Sequence, residues 1–323
     1  MAQLDQSVIQ IHSILAAAKR HFLYSDELNK RVLGALNQDA LVHSNQLEPD
    51  ADHTKTLKRL KEAWEYGVEY FQDHVNIDLI LKLAHIVEPK NHGTFRTSMG
   101  FTKDRDGSHV CFTNPMKISR DLGQLLFSLE ERHEDPIVQA AQLHLYMGII
   151  HPLSDGNGRT SRLLQNLLLH HYGVPPAIIR STDRATYLNH IEDAHRGFKE
   201  RNDGTTSPFE NYSYPELRFL QYIVDRVMEA TVKLSDEIIS QRRYNLNVEV
   251  KGCNRNIYSL RNAIRDSLCC RGIPPQIRSS PKDCQMIVVT SASEEEMIGI
   301  IEKYKMRNTA LVRYVVTETT NIK

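Results

Sequence analysis

Residues 151–162, "HPLSDGNGRTSR", bring together the side-chain types that could hold a phosphate chain beside a base. Glycine and asparagine tolerate positive φ, so the backbone N–H groups of "DGNG" can converge on an anion. Arg159 and Arg162 offer guanidinium groups to phosphate oxygens. Asp155 offers a carboxylate oxygen to Mg²⁺, and His151 can act as a general base near neutral pH. The spacing favours a phosphate, metal and base site over the alternative, a polar turn between two helices.

Two predicted helices flank this loop. Apolar residues at helical spacing in "PIVQAAQLHLYMGII" and "RTSRLLQNLLLHHYG" predict a helix on each side, and Pro152 cannot extend the first. The chain up to about residue 243 follows the same helical pattern. One segment differs, "RTSMGFTKDRDGSHVCFTNP", where apolar residues around "DRDG" predict a short β-hairpin.

The last quarter of the chain has another pattern. Short strands and two helices alternate after residue 245 in the order β-α-β-β-α-β, which predicts a ferredoxin-like split βαβ unit. We place the boundary at 242–247. The predicted organisation is an N-terminal helical region over 1–75, a mainly α core over 76–243 and a small α+β domain over 246–323.

Composition excludes several classes of protein. The 323 residues include 40 basic and 40 acidic ones, so net charge offers no general case for nucleic acid, a membrane surface or an acidic partner. We expect no signal peptide and no membrane-spanning segment, because no apolar run is long enough.

Cysteine usage points to a reducing compartment. Four of the five cysteines, Cys253, Cys269, Cys270 and Cys284, lie in the last quarter without zinc-ligand spacing. We expect buried, reduced thiols and a cytoplasmic location. Secretion as an effector into a host cell stays open.

The loop resembles the signature of Fic domains, His-Pro-Phe-x-(Asp/Glu)-Gly-Asn-Gly-Arg-x-x-Arg. It differs only at Leu153, where the family has phenylalanine, and leucine is a conservative apolar replacement. The segment "GTFRTSMGFTKDRDGSHVCFTNP" resembles the Gly-x-x-Arg and β-hairpin flap of the family. The resemblance covers about two thirds of the chain and implies a Fic-type helical bundle.

The resemblance implies transfer of AMP from ATP, with Mg²⁺, to a Ser, Thr or Tyr hydroxyl of a target protein. His151 would deprotonate the hydroxyl and Asp155 would hold Mg²⁺. The backbone of Gly156, Asn157 and Gly158 would cradle the α- and β-phosphates, Arg159 would support them, and Arg162 would pair with the γ-phosphate. Family members that move other groups usually alter these glycines, so the intact pair favours AMP.

Two further segments resemble family features. In "TYLNHIEDAHRG", four residues would clasp the base and ribose: Tyr187, Leu188, Ile191 and His195. Tyr187 and Ile191, each taken alone, are equally well explained as core. The flap residues that would dock the target are Gly100, Phe101, Thr102, Val110, Cys111 and Phe112.

Many Fic proteins carry an inhibitory glutamate in the pattern (Ser/Thr)-x-x-x-Glu-(Gly/Asn). We favour Glu48, four residues after Ser44, although Pro49 replaces the usual glycine. The alternative is Glu210 in "TSPFEN", which matches the pattern literally. Either carboxylate would compete with the γ-phosphate for Arg162. In such relatives the same glutamate can align a water that removes AMP, and homodimers are frequent.

Two other functions remain to be tested against AMP transfer. The first is phosphoryl transfer from ATP to a protein, although no lysine of a P-loop follows the glycines. The second is a non-catalytic protein-binding module, against which the presence of His151 and Asp155 argues. Residues 246–323 carry twelve Lys or Arg against eight Asp or Glu, a weak indication of nucleic acid binding without any recognition motif.

Overall fold

The computed structural model describes most of the chain. It covers residues 2–20, 26–48, 52–72, 74–103, 105, 107, 109–201, 209, 211–240, 245–251, 254–270, 275–280, 285–289, 294–307 and 313–319. The chain divides into two compact units, Met1–Ile238 and Ile239–Lys323.

Helices dominate the first unit. They are α1 Ala2–Arg20, α2 Asp26–Gln46, α3 His53–Tyr70, α4 Ile77–Val87, α5 Ile118–Glu131, α6 Pro136–Ile150, α7 Asn157–His171, α8 Arg184–Arg201 and α9 Tyr214–Ser240. Capping residues set several boundaries. Asn76 accepts the Leu79 N–H at 2.9 Å to start α4, and Asp135 accepts the Ile137 N–H at 2.9 Å to start α6.

The centre of this unit is the pair α6 and α7. Both helices are buried on nearly all sides, which explains why α6 is apolar almost all round rather than along one stripe. Leu153, in the loop that joins them, is fully buried and packs where phenylalanine was expected. The loop over 151–156 therefore lies between two helices that the core holds rigidly.

A hairpin covers one end of the bundle. Strand β1, Phe101–Lys103, pairs antiparallel with β2, His109–Cys111, with Thr102 opposite Val110. This is the predicted hairpin, and its two strands lie on either side of "DRDG" in the chain. Gly107 has a φ of 81°, a value that glycine adopts without strain.

Polar contacts join the C-terminal end of α2 to the start of α3 and to the start of α8. Asn45, at the end of α2, donates to the His53 carbonyl at 2.7 Å and accepts from the Thr56 hydroxyl at 2.5 Å. Arg184, at the start of α8, donates to the Leu47 carbonyl at 2.7 Å. These contacts fix where residues 44–48 lie.

The second unit has the predicted β-α-β-β-α-β order. Its elements are β3 Asn245–Lys251, α10 Asn254–Cys269, β4 Gln276–Ser280, β5 Gln285–Val289, α11 Glu294–Arg307 and β6 Arg313–Thr319. The strands pair antiparallel in the order β4-β5-β3-β6, as a ferredoxin-like unit requires. The predicted fold class, a mainly α bundle with a hairpin and a small α+β unit, is confirmed.

The expectation of buried thiols was wrong. Cys269 and Cys270 are exposed, as is Cys111, while Cys253 and Cys284 lie outside the described residues. Cys269 and Cys270 are exposed because α10 packs inwards through another face, which carries Leu260, Ile264 and Leu268 at four-residue spacing. Cysteines at the end of that helix fall outside this stripe.

Within the ranges that the structure describes, no helix is both long enough and apolar enough to span a bilayer.

A buried ion pair joins α8 to α9 and predicts a stability difference. Glu216 is fully buried and accepts from Arg201 through both carboxylate oxygens, at 2.5 and 2.7 Å. We expect Glu216→Ala to lower the free energy of unfolding by about 3 kcal/mol, because Arg201 loses a fully buried carboxylate partner. Glu229→Ala, which removes an exposed glutamate that pairs with Arg226 on the same helix, should cost less than about 1 kcal/mol.

Urea denaturation followed by the fluorescence of Trp64 would measure this difference. Trp64 is the single tryptophan and lies in the core of the first unit, so it reports on that unit. Equal losses in the two variants would contradict the role given to Glu216.

Candidate active site

His151 ends α6 in a left-handed backbone conformation with a φ of 52°. Arg96 holds this turn, because its Nε donates to the His151 carbonyl at 2.7 Å. Arg96 also donates to the carbonyls of Ser98 and Thr113, which lie on either side of the hairpin. A single buried guanidinium therefore fixes the loop and the hairpin in one arrangement.

Two buried asparagines fix the loop itself. Asn157 accepts the Leu153 N–H at 2.9 Å and donates to the Leu153 carbonyl at 2.8 Å. Asn91 donates to the Asp155 carbonyl at 2.9 Å and accepts from the Asp155 N–H at 3.1 Å and the Ser154 hydroxyl at 2.7 Å. The loop is thus preformed by side chains rather than shaped by a ligand.

The start of α7 presents free backbone amides. Gly156 has a φ of 75°, and its N–H donates to Asp155 Oδ1 at 2.6 Å. The first helical bond runs from the Thr160 N–H to the Gly156 carbonyl, so the amides of 157–159 lie outside the helical ladder. No side chain in the described structure caps this end of α7. Such amides, with the helix dipole, suit an anion.

Arg159 is a buried cation with incomplete pairing. Its Nη2 lies 3.6 Å from Glu88 Oε2 and 3.7 Å from Asp155 Oδ1. Its Nε and Nη1 are buried, and the described part of the chain gives them no hydrogen-bond partner. Unpaired donors on a buried charge are costly, so this guanidinium is suited to an anionic ligand.

Arg162, in contrast, is fully engaged and only 4% exposed. Its Nη2 donates to Glu48 Oε1 at 2.7 Å and to the Ser44 carbonyl at 3.0 Å. Its Nε donates to the Ser44 hydroxyl at 2.9 Å, and its Nη1 donates to the Tyr187 hydroxyl at 3.2 Å. The end of α2 thus supplies both members of the Ser-x-x-x-Glu pattern to one guanidinium.

Glu48 stays charged in this pair. Burial alone would raise the pKa of Glu48, but the attraction of Arg162 and their hydrogen bond outweigh it, so this pKa lies below 4.5. The ion pair is therefore complete at neutral pH and is lost only as the pH falls below that range.

The His151 ring is neutral and stacked. Burial is the main reason that the pKa of His151 falls from 6.5 to about 4, and the charge of Arg96 adds to the shift. The Phe112 ring lies parallel to it, with centroids 3.8 Å apart, and His195 stacks on Phe112 at 5.7 Å. An unprotonated imidazole can accept a proton throughout the neutral range.

The four residues predicted on α8 have different environments. Leu188 is 40% exposed and Ile191 is half-buried, as expected for walls of a cavity. His195 is 5% exposed, and its pKa falls to about 4, first through burial and then through Lys199. Tyr187 is 2% exposed, with its hydroxyl bonded to Arg162 and His144.

One cavity of about 580 Å³ collects most of the predicted residues. It is lined by Glu48, Thr102, Val110, Phe112, His151, Asn157, Gly158, Arg162, Tyr187, Leu188, Ile191 and His195. The volume is within the range of small-molecule sites. The lining does not include Asp155, Gly156, Arg159, Gly100, Phe101 and Cys111.

The flap residues divide by their position along the hairpin. Phe101 pairs with Cys111, and Thr102 pairs with Val110. Thr102 and Val110 line the cavity together with the next pair, Lys103 and His109, whereas Phe101 and Cys111, the pair farthest from the turn, do not. Phe101 is 60% exposed.

Sequence reasoning missed several residues that shape the site. They are Glu88, Asn91, His144 and Gln165. His144 could have been noticed, since it is a polar residue in an otherwise apolar helix. Asn91, between a proline and a glycine, gave the pattern of an ordinary turn. Glu210, the alternative inhibitory residue, lies outside the described residues.

Known proteins resemble this chain in sequence and fold. The family model described as Fic/DOC family matches residues 70–169. A protein adenylyltransferase Fic of Nematostella vectensis is 28% identical over 231 residues, which cover 68% of this chain and 49% of that protein. One of Aedes aegypti is 36% identical over 159 residues, 48% of this chain and 28% of that protein. The chain thus spans half or less of these curated relatives.

A solved structure shows the same fold. The crystal structure of a Fic domain containing signaling protein from Bacteroides thetaiotaomicron has a TM-score of 0.61 and 20% identity, and the match covers 72% of this chain and 97% of that one. The family match contains the loop, the hairpin and Arg96 described above. The resemblance read from "HPLSDGNGRTSR" is confirmed: residues 70–169, which contain this loop, match the Fic/DOC family.

Proposed function

We propose that this chain transfers AMP from ATP to the hydroxyl of a Ser, Thr or Tyr side chain in a target protein. The observation that carries the proposal is the cavity in which a neutral His151 lies beside a helix N-terminus and the buried Arg162. The names of the Nematostella and Aedes relatives support the same activity. We assign the reaction to residues 76–243.

His151 would accept the proton of the target hydroxyl. The hydroxyl oxygen forms a bond to the α-phosphorus of ATP, the bond from that phosphorus to the bridging oxygen breaks, and pyrophosphate leaves. Because the imidazole is unprotonated at neutral pH, it is ready for this step without a prior change. The remaining contribution is positioning and charge stabilisation.

Phosphate binding would fall to the start of α7. The amides of 157–159 and the unpaired donors of Arg159 offer hydrogen bonds to phosphate oxygens. At Gly158 a Cβ would lie 2.9 Å from both Arg162 Nη1 and Glu48 Oε1, so any side chain there would displace the ion pair. The intact glycine keeps the space that a phosphate chain needs.

Asp155 suits Mg²⁺ as one ligand among several, not as a complete ligand set. Its side chain is 57% exposed, and its described contacts involve only Oδ1. Over the described ranges, no group of three or more His, Cys, Asp or Glu side chains could hold a metal. Asp155 would therefore hold Mg²⁺ together with nucleotide phosphates and water, and the ion would neutralise phosphate charge.

Glu48 would act as a built-in inhibitor. It occupies Arg162 Nη2, which the γ-phosphate needs, with a carboxylate that stays charged at neutral pH. The same carboxylate, facing the cavity, could orient water for removal of AMP from a modified target. The exposed hairpin would bind an extended target segment through its backbone edge.

Incorporation of labelled ATP tests the function and the inhibition together. We expect Glu48→Gly to gain label from α-labelled but not γ-labelled ATP by self-modification, because Arg162 is released. Glu48→Gly/His151→Ala should lose the label, since the base is gone. Glu27→Gly, which removes an exposed glutamate at the start of α2, serves as the matched control and should resemble the wild type.

Each other result has a definite meaning. Label from the γ-position alone would show phosphoryl transfer and contradict AMP transfer. An inactive Glu48→Gly with an active Glu210→Gly would move the inhibitor to Glu210. No label in any variant would favour the protein-binding module.

The protonation of His151 can be measured directly. We expect its imidazole to titrate near pH 4 rather than 6.5 in NMR spectra of histidine-labelled protein, with the signal assigned by its absence in His151→Ala. Phe112→Ala should move the titration towards 6.5, because removal of the stacked ring admits water to a charge that burial disfavours. A wild-type signal that titrates at pH 6.5 would contradict the claim that burial lowers the pKa of His151.

A further inference from the structure

A chain of buried hydrogen bonds runs from the core to Arg162, and its direction can be derived. It starts at the backbone of Ala177, whose N–H donates to Asn166 Oδ1 at 3.0 Å. A backbone N–H can only donate, so this oxygen is fixed as the acceptor. Gln165 Nε2 donates to the same oxygen at 3.1 Å, which leaves Gln165 Oε1 to accept at the other end of its amide.

His144 continues the chain. Its Nδ1 lies 2.6 Å from Gln165 Oε1, so Nδ1 carries the proton and donates. Burial, and then the charge of Arg162, lower the pKa of His144 to about 3, so the ring has no second proton. Its Nε2, 2.8 Å from the Tyr187 oxygen, is therefore an acceptor, and the Tyr187 hydroxyl donates to it. The lone pairs of that hydroxyl oxygen remain for Arg162 Nη1 at 3.2 Å.

The three nitrogens of Arg162 thus have different kinds of partner. Nε is held by the Ser44 hydroxyl, Nη1 by Tyr187, and Nη2 by Glu48 together with the Ser44 carbonyl. The Glu48 side chain is 35% exposed, while Tyr187 is only 2% exposed. Glu48 is therefore the partner of Arg162 that solvent or a ligand can most readily replace.

We propose that Tyr187, oriented by His144, is a positioning residue that keeps Arg162 directed at the γ-phosphate of ATP when Glu48 gives up Nη2. The inference rests on the proposed function. It differs from the expected contact of Tyr187 with the base, because the hydroxyl is bonded to Arg162 and to the fully buried His144. Without Tyr187 the guanidinium would lose the anchor opposite the ligand and rotate about Nε.

ATP and ADP together test this role, because ADP lacks the phosphate that Arg162 would bind. The full chain carrying Glu48→Gly and His151→Ala binds nucleotide without turnover and serves as the parent. We expect Tyr187→Phe in this parent to raise the Kd of Mg²⁺-ATP about tenfold, the size of one hydrogen bond to a charged group. The Kd of Mg²⁺-ADP should change less than about twofold, as measured by calorimetry.

Tyr222→Phe is the matched control. The Tyr222 ring lies 6.5 Å from that of Tyr187, and its buried hydroxyl has no hydrogen-bond partner in the part of the chain that the structure describes. Loss of this oxygen should leave both Kd values as in the parent. His144→Leu removes the acceptor of the Tyr187 hydroxyl proton and should likewise raise the Kd of Mg²⁺-ATP more than that of Mg²⁺-ADP. This variant tests the same role if Tyr187→Phe does not fold.

Three results would overturn the inference. Equal weakening of ATP and ADP by Tyr187→Phe would assign Tyr187 to the base or to packing, and no change in either Kd would leave the hydroxyl without a role. A parent that binds ATP and ADP equally would show that Arg162 does not contact the γ-phosphate, and it would overturn the inference as well. Incorporation of α-label reports separately on AMP transfer, so the two proposals can fail independently.

Discussion

A guanidinium that cannot lose its proton is buried at position 162, and much of the first unit is arranged around it. A buried charge is tolerated only when its donors are matched by acceptors. The acceptors come from the end of α2, through Ser44 and Glu48, and from α8, through Tyr187. Helices far apart in sequence are therefore tied together at one side chain of α7.

The two arginines of the loop differ in how their charge is satisfied. Arg162 has a partner at each of its three nitrogens, one of which is a carboxylate at the cavity. Arg159 has two carboxylates at 3.6 and 3.7 Å and two donors without partners in the described structure. Arg159 therefore has donors ready for an anion, whereas Arg162 must first release Glu48. In the proposed function, this difference separates binding of the inner phosphates from control at the outer one.

The sequence was sufficient wherever a local rule decided the structure. Helical spacing of apolar residues located α6 and α7, and "DRDG" located the hairpin. The β-α-β-β-α-β order followed from alternating strand and helix patterns and was confirmed by the strand order. The residues of "HPLSDGNGRTSR" were identified with their loop. Asn91 was missed, because its contacts with residues 154 and 155 lie more than sixty positions away and leave no local pattern.

By itself, the sequence determined which elements form and which residues the loop carries, because backbone preferences and side-chain periodicity act over a few neighbouring residues. The tertiary structure alone decided the partners. It placed Glu48 on Arg162 across 114 positions, bonded the Tyr187 hydroxyl to the buried His144, and left Cys269 in solvent. These outcomes depend on how whole helices pack, since packing decides which face of each helix is buried and which distant charges must meet.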